Sequence, residues 1–547
     1  MNPLAPVPGP DYKVAIAAKG IVAILATAIL LWHYWSTRKG QAPSRQLNAA
    51  LVLVGLLGGA GWWNYGAFHF VGGFIHYHEF FHYYLGSKYF EELGYTGLYE
   101  CVAVAEAEAG RGATVSRRWI RNLSTNELAL GTPALQEPSR CRDRFADPAR
   151  WPAFTHDVEW FRQHVTAGKW NELTADHGYN ATPVWTMAGA RLANLAPVSV
   201  PQIWALALLD PVLLAAMWGL VWWAFGWRVL AIALVWWGTN YPARYTYIGG
   251  GYLREDWLLW SVAAVCLAKR GWMAASGSAI AWATLLRVFP GFPLVAVAFS
   301  AAQSVWRTKR LPSSVVRFGV GGLIAAVLLA GASLLGPHPP EGGVASWRGF
   351  VANSRKHLAT PLTNNVGVPE LVTFDPATRS ARVRELWLDS PWDVWKDARL
   401  RLFEERFWLY VALVAAYLAL LLKATAGQPL WTTLILGMGV IPFLTNLTCY
   451  YYGFLLIFAA LWPRYPLAGI GLTAASALTC ITPALLSQDD DRYMAISLII
   501  TVYVVGLTAW LAFRPDAGLE AGHHPAWTPA SPGQTSHLPA PDTLPVA

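Results

Sequence analysis

FIHYHEFFHYYLGSKYFEELGYTGLY, residues 74–99, begins where a long apolar run ends and opens a loop of over a hundred residues. His76, His78, Glu79 and His82 fall together at that boundary, followed by Tyr83, Tyr84 and glycines at 86, 94 and 97. Ionisable groups at the edge of the hydrocarbon are costly unless they are used. The stretch therefore reads as the start of an extramembrane cap on a polytopic, all-α membrane protein, with chemistry placed at the membrane surface.

The composition agrees. The 547 residues are 55% hydrophobic and only 14% charged, against about 25% charged in a soluble domain. The mean hydropathy is +0.33. Thirty tryptophans suit belts at both interfaces. The opening MNPLAPVPGPDYK lacks a basic n-region, so a cleavable leader is not expected. The net charge of +8 fits the Lys/Arg excess of cytoplasmic loops and calls for no nucleic acid.

Working outward, apolar runs predict about thirteen spans, at 20–36, 47–66, 202–225, 228–244, 253–268, 273–288, 291–305, 318–336, 405–422, 430–446, 449–462, 466–486 and 493–512. The pairs around 273–305 and 430–462 also read as broken or re-entrant helices. Arg38, Lys39 and Arg45; Arg228; Lys269 and Arg270; Arg307, Lys309, Arg310 and Arg317; Lys423; Arg464; and Arg514 fall on alternate connections. That places those connections in the cytoplasm, and the loops 67–201 and 337–404 with the acidic turn QDDDR (488–492) on the outer face of the inner membrane. The segments are then 1–66 (two spans), 67–201 (first outer loop), 202–336 (central spans), 337–404 (second outer loop), 405–513 (last spans) and 514–547, a tail rich in Pro, Ala, Thr and Ser that reads as disordered.

Cys101 and Cys141 are the only cysteines outside the spans. On an oxidising outer face they form either a disulfide or two free thiols.

Two patterns could carry chemistry. HEFFH, residues 78–82, matches the zinc-peptidase spacing, with two His at i and i+4 and Glu as base. No third ligand follows at a recognisable spacing; Asp210, in LLDPVLL, is the distant acid such a peptidase could use. In the second pattern Glu79 is the key group, followed by Tyr83, Tyr84, Gly94, Leu98 and Tyr99. Four further elements come in order: DHGYNATPVW (176–185), LLRVFPGFP (285–293), LTNNVGVPEL (362–371) and PFLTNLTCYYYGFLL (442–456).

This ordered set resembles the GT-C superfamily of membrane glycosyltransferases, most nearly the polyprenol-phosphate-dependent transferases of glycosyltransferase family 87 (the DUF2029 type). The resemblance spans most of the chain in short motifs. It implies transfer of a sugar from a polyprenyl phosphate to a glycan or glycolipid acceptor, with inversion, on the outer face. It implies Glu79 as general base, where the family more often has Asp, and Asn364 and Asn365 near the sugar.

Such chemistry needs cations at the leaving phosphate, and arginine offers two-pronged phosphate contacts. Arg244 (in NYPARYTY), Arg254 and Arg287 are the outer-side choices. Arg287 stands out, because it interrupts an apolar segment just before Pro290. Arg254 adjoins Glu255 and Asp256, so all three also read as caps of a span; Arg355, Lys356 and His357 read as a solvated run or as phosphate contacts. A divalent metal on Glu79 with His78 or His82 is a further reading, and imidazole would favour a transition metal. No Walker A sequence and no GxGxxG fingerprint appear, so nucleotide chemistry is unsupported. GGG at 249–251 reads as a turn. A zinc-dependent membrane peptidase and a lipid-linked sugar transporter are the rival readings.

Overall fold

A computed structural model describes residues 11–70, 73–385 and 392–514. The N-terminal decapeptide and the tail beyond Arg514, including the disorder expected there, lie outside the described residues.

Each predicted apolar run contains helix, although the run 228–244 is helical only to Thr239 and 430–446 is broken into Leu430–Met438 and Ile441–Leu444, so thirteen full spans are not seen. Among the described residues seven helices are long and apolar enough to cross a membrane: Tyr12–Arg38, Val200–Phe225, Phe289–Thr308, Ser313–Leu334, Phe407–Ala424, Pro466–Leu485 and Asp489–Phe513. Arg45–Trp62 has 18 residues but opens on the polar side chains Arg45, Gln46 and Asn48, and the remaining apolar helices are shorter. Met273–Leu286 has 14 residues and Trp227–Thr239 has 13. At 1.5 Å per residue such helices reach roughly 20 Å, short of a 30 Å hydrocarbon layer. Cys449–Leu461 is wound as a 3₁₀ helix, which stretches its 13 residues to roughly 26 Å.

Outward faces stay apolar where no helix covers them. Leu323, Val327 and Leu328 are about two-thirds exposed (67, 62 and 66%), which suits lipid rather than water. Inward faces approach through small residues. A Cβ at Gly238 would run into the Gly58 carbonyl, joining Arg45–Trp62 to Trp227–Thr239, and one at Gly277 would run into Phe318 between Met273–Leu286 and Ser313–Leu334.

The loop 67–201 is a helical cap with one antiparallel hairpin, Trp119–Asn122 paired to Glu127–Leu130. Cys101 and Cys141 are joined as a disulfide, with Cα atoms 5.3 Å apart, which decides between the two sequence readings. Buried Glu106 contacts Arg118 and lies 3.3 Å from Arg162. The loop 337–404 contributes the helix Gly343–Leu358 and a short strand, Asn365–Val366, paired with Leu447–Thr448. The protein is thus not purely α, although both sheets have only two strands. The acidic turn is structural. Asp490 accepts from Ser380 and Trp395, and Asp491 pairs with Arg379, tying the second loop to the last helix.

Candidate functional site

A cavity of about 560 Å³ lies where the two long loops meet the turns between helices. Its walls come from residues 79–83, 176–182, 254, 286–292, 350–365 and 444–451. All six stretches belong to connections for which the Lys/Arg pattern of the sequence leads one to expect a common side.

Glu79 sits in the four-residue helix Tyr77–Phe80, whose N-cap is His76; the His76 Nδ1 accepts the Glu79 N–H at 3.2 Å. The chain then widens into a π turn over Phe81–Leu85, so HEFFH is not one regular helix. Glu79 is not turned to a histidine. Its Oε2 lies 2.8 Å from the Arg254 Nε.

Arg254 is 2% exposed. Its position is fixed through its backbone, whose N–H donates to both Asp210 oxygens at 3.0 Å, while the Glu255 N–H donates to Asp210 at 3.2 Å. The turn before it is strained, with Leu253 at φ +49°. Glu255 stands at the N-cap position of the helix Asp256–Lys269 without a side-chain capping bond, and Arg254 lines the cavity. Its guanidinium lies 4.2 Å from the Tyr83 ring centre and 5.8 Å from that of Tyr450. Arg287 ends Met273–Leu286 in extended backbone, gives one hydrogen bond to the Leu286 carbonyl at 2.9 Å, and sits 5.8 Å from the same Tyr83 ring.

The donors left over set the character of the site. Arg254 Nη1, and Arg287 Nε and Nη2, are buried without a hydrogen-bond partner among the described residues, while Arg254 Nε is taken by the Glu79 carboxylate. Native proteins rarely leave buried polar atoms unsatisfied. Three such N–H-bearing atoms on two permanent cations that line one cavity match the oxygens of an anion. Asn365 adds a buried, unpartnered Oδ1 to the cavity lining. Tyr83 donates to Asn180, and Phe289 stacks edge-on to Tyr451 at 5.0 Å. Leu286, Val288, Phe292 and Leu444 give the cavity an apolar edge.

The predicted residues separate clearly. Glu79, His82, Tyr83, Arg254, Arg287 and Asn365 line the cavity, as do Arg355 and His357. Arg244 does not. It lies between the rings of Tyr241 and Tyr247, each 4.2 Å away, and donates to Thr246, to the Tyr241 carbonyl and to the Tyr247 hydroxyl. Asn364 also falls outside; its carbonyl accepts the Cys449 N–H at 2.9 Å. Lys356 donates to the Leu123 carbonyl.

The expected metal set needs correction too. Glu79 is paired with arginine, and the third donor for His78 and His82 is Asp176, 98 residues after His78 in sequence. His78 Nε2 and Asp176 Oδ2 are 2.7 Å apart, and His82 Nδ1 is 4.0 Å from the same oxygen. Burial pushes the His82 imidazole down to about 4, and the His78 ring adds to the effect. For Asp176, burial works to raise the carboxyl, but the His78 contact outweighs it and holds the group well below its ordinary range. Asp176 is enclosed by protein yet keeps 41% of its side chain accessible, through the cavity it lines. Tyr450 and Tyr451 are site residues that the sequence did not single out; their one signal was the aromatic run CYYYGF.

Set against family models, curated proteins and solved structures, the chain gives no match.

Proposed function

We propose that this protein is a membrane glycosyltransferase that moves a sugar from a polyprenyl phosphate to a glycan or glycolipid acceptor on the outer face of the inner membrane. The observation that carries the reading is the pair of buried arginines, Arg254 and Arg287, whose unpartnered donors face a cavity shared with Glu79. Two fixed guanidiniums would hold the donor phosphate and stabilise the charge it gains on leaving. The apolar edge at Leu286, Val288 and Phe292 suits the first isoprene units, and Asn365 and Asn180 offer amides to sugar hydroxyls.

The step is a single displacement with inversion. Glu79 takes the acceptor hydroxyl proton, the freed oxygen attacks the anomeric carbon, and the carbon–phosphate oxygen bond breaks. Both of its electrons stay on polyprenyl phosphate, which Arg254 and Arg287 retain. Glu79 is therefore the catalytic residue. The peptidase reading finds less support, because it needs the HEFFH glutamate beside a metal-bound water, and here that glutamate is paired with Arg254. The transporter reading, which had only Asp210 and Arg287 as deep charges, loses the first, since Asp210 is engaged by two backbone N–H groups.

The test is transfer from radiolabelled polyprenyl-phosphate sugars by purified protein. Glu79→Gln should lower the rate at least about a hundredfold, within the range of general-base catalysis, while the donor still binds. A rate equal to wild type in Glu79→Gln would remove Glu79 as base.

A further inference from the structure

We infer that His78, His82 and Asp176 form a binding site for one divalent transition metal, zinc by chemical preference, with an open coordination position turned to the cavity. This deepens the transferase reading by adding an electrophile to the same site, but it rests on its own geometry.

One ligand atom from each of the three residues lies within 4.8 Å of the others. Tetrahedral zinc with ligands at about 2.0–2.2 Å spaces its donor atoms roughly 3.3 Å apart. The separations from Asp176 Oδ2, 2.7 and 4.0 Å, bracket that value, and the two imidazoles lie within 4.8 Å of each other, so modest side-chain adjustment would seat an ion. The His82 ring is already held as a ligand would be. Its Nε2 meets the Leu173 carbonyl at 3.1 Å and the Tyr99 hydroxyl at 2.6 Å. With its proton on Nε2 and donated to the Leu173 carbonyl, the ring would offer its Nδ1 lone pair to an ion beside Asp176. A metal-bound histidine typically donates its other N–H to just such a partner.

Two imidazoles and one carboxylate favour zinc or iron over magnesium, which keeps to oxygen ligands. Three protein ligands leave a position for an exchangeable oxygen, as in catalytic rather than structural zinc sites. His82 and Asp176 both line the cavity, so that oxygen would be water or a substrate oxygen.

The experiment is zinc titration of the purified, metal-stripped full chain, followed by metal analysis. We expect one zinc per chain, retained in Glu79→Gln and weakened at least about a hundredfold in Asp176→Asn and His82→Ala. Tyr99→Phe, which removes a support and no ligand, should weaken zinc by roughly tenfold. Magnesium should not compete. Absence of stoichiometric zinc in the wild type, or unchanged affinity in Asp176→Asn and His82→Ala, overturns the site. Should those variants fail to fold, cobalt in the wild-type protein decides: an intense visible spectrum of four-coordinate cobalt supports the site, and the weak spectrum of the hydrated ion overturns it. Sugar transfer is read separately. Zinc binding without transfer supports the site and removes the transferase reading, whereas transfer by a protein that binds no zinc does the reverse.

Discussion

Arg244 and Arg254 stand ten positions apart, at the facing ends of two apolar runs, and the sequence made both candidates for a phosphate, with the neighbouring Glu255 and Asp256 counting against Arg254. Their surroundings differ completely. Arg244 is satisfied: two tyrosine rings sandwich it and its nitrogens reach Thr246, Tyr241 and Tyr247. Arg254, like Arg287, keeps buried donors without partners. A guanidinium whose hydrogen bonds are filled by its own fold has little left for a ligand. One held in place through its backbone and by Glu79 on one side, with the rest of its head group left open, is set up to bind.

The comparison breaks most sharply in transfer kinetics. Arg287→Ala should lower kcat/KM for the polyprenyl-phosphate donor at least about a hundredfold, as loss of a donor to developing charge does elsewhere, whereas Arg244→Ala should stay within about threefold of wild type. Equal losses in both would show that the distinction drawn from their partners is wrong. Stability should answer in the opposite order. Arg244→Ala loses two cation–π contacts and three hydrogen bonds, a cost of about 1–3 kcal/mol, seen as a lower melting temperature in detergent. Arg287→Ala removes a buried cation with few partners and should melt at or above the wild-type temperature.

Asp210 sharpens the argument one step back. It holds the Arg254 backbone without touching the cavity, so it is a positioning residue. Asp210→Asn keeps one acceptor oxygen and should lower kcat by roughly tenfold, equal to about 1.4 kcal/mol, with donor KM little changed. A merely structural role would lower melting temperature and leave the kcat of the folded fraction intact. The smallest effect is expected at Asn365. Asn365→Ala should raise donor KM by about threefold, on the order of one hydrogen bond, and Asn364→Ala should not. A reversed result would place the sugar elsewhere.

Much of the architecture was legible. Each apolar run contains helix, because a chain in lipid must satisfy its backbone within each segment. Arg287 was legible as well, since a lone arginine beside Pro290 in an apolar segment has a cost that needs a reason. The choice between Asn364 and Asn365 was not. They are neighbours, but Asn364 lies in the turn before the strand and Asn365 in the strand itself, so only the pairing of Asn365–Val366 with Leu447–Thr448 fixed which one meets the cavity. The third donor beside HEFFH was equally hidden. Asp176 reaches His78 only because the cap folds back across 98 residues.

By itself, then, the sequence determined that this is a helical membrane protein and that Glu79, His78 and His82 stand together at the foot of its first long loop. Hydropathy and short spacing are local properties, and the chain carries them without folding. The tertiary structure alone decided that Glu79 meets Arg254, that Arg244 is filled by tyrosines and that Asp176 completes the histidine pair. Those outcomes depend on contacts between distant segments, where burial and the filling or leaving open of each hydrogen bond select among side chains that read alike in the sequence.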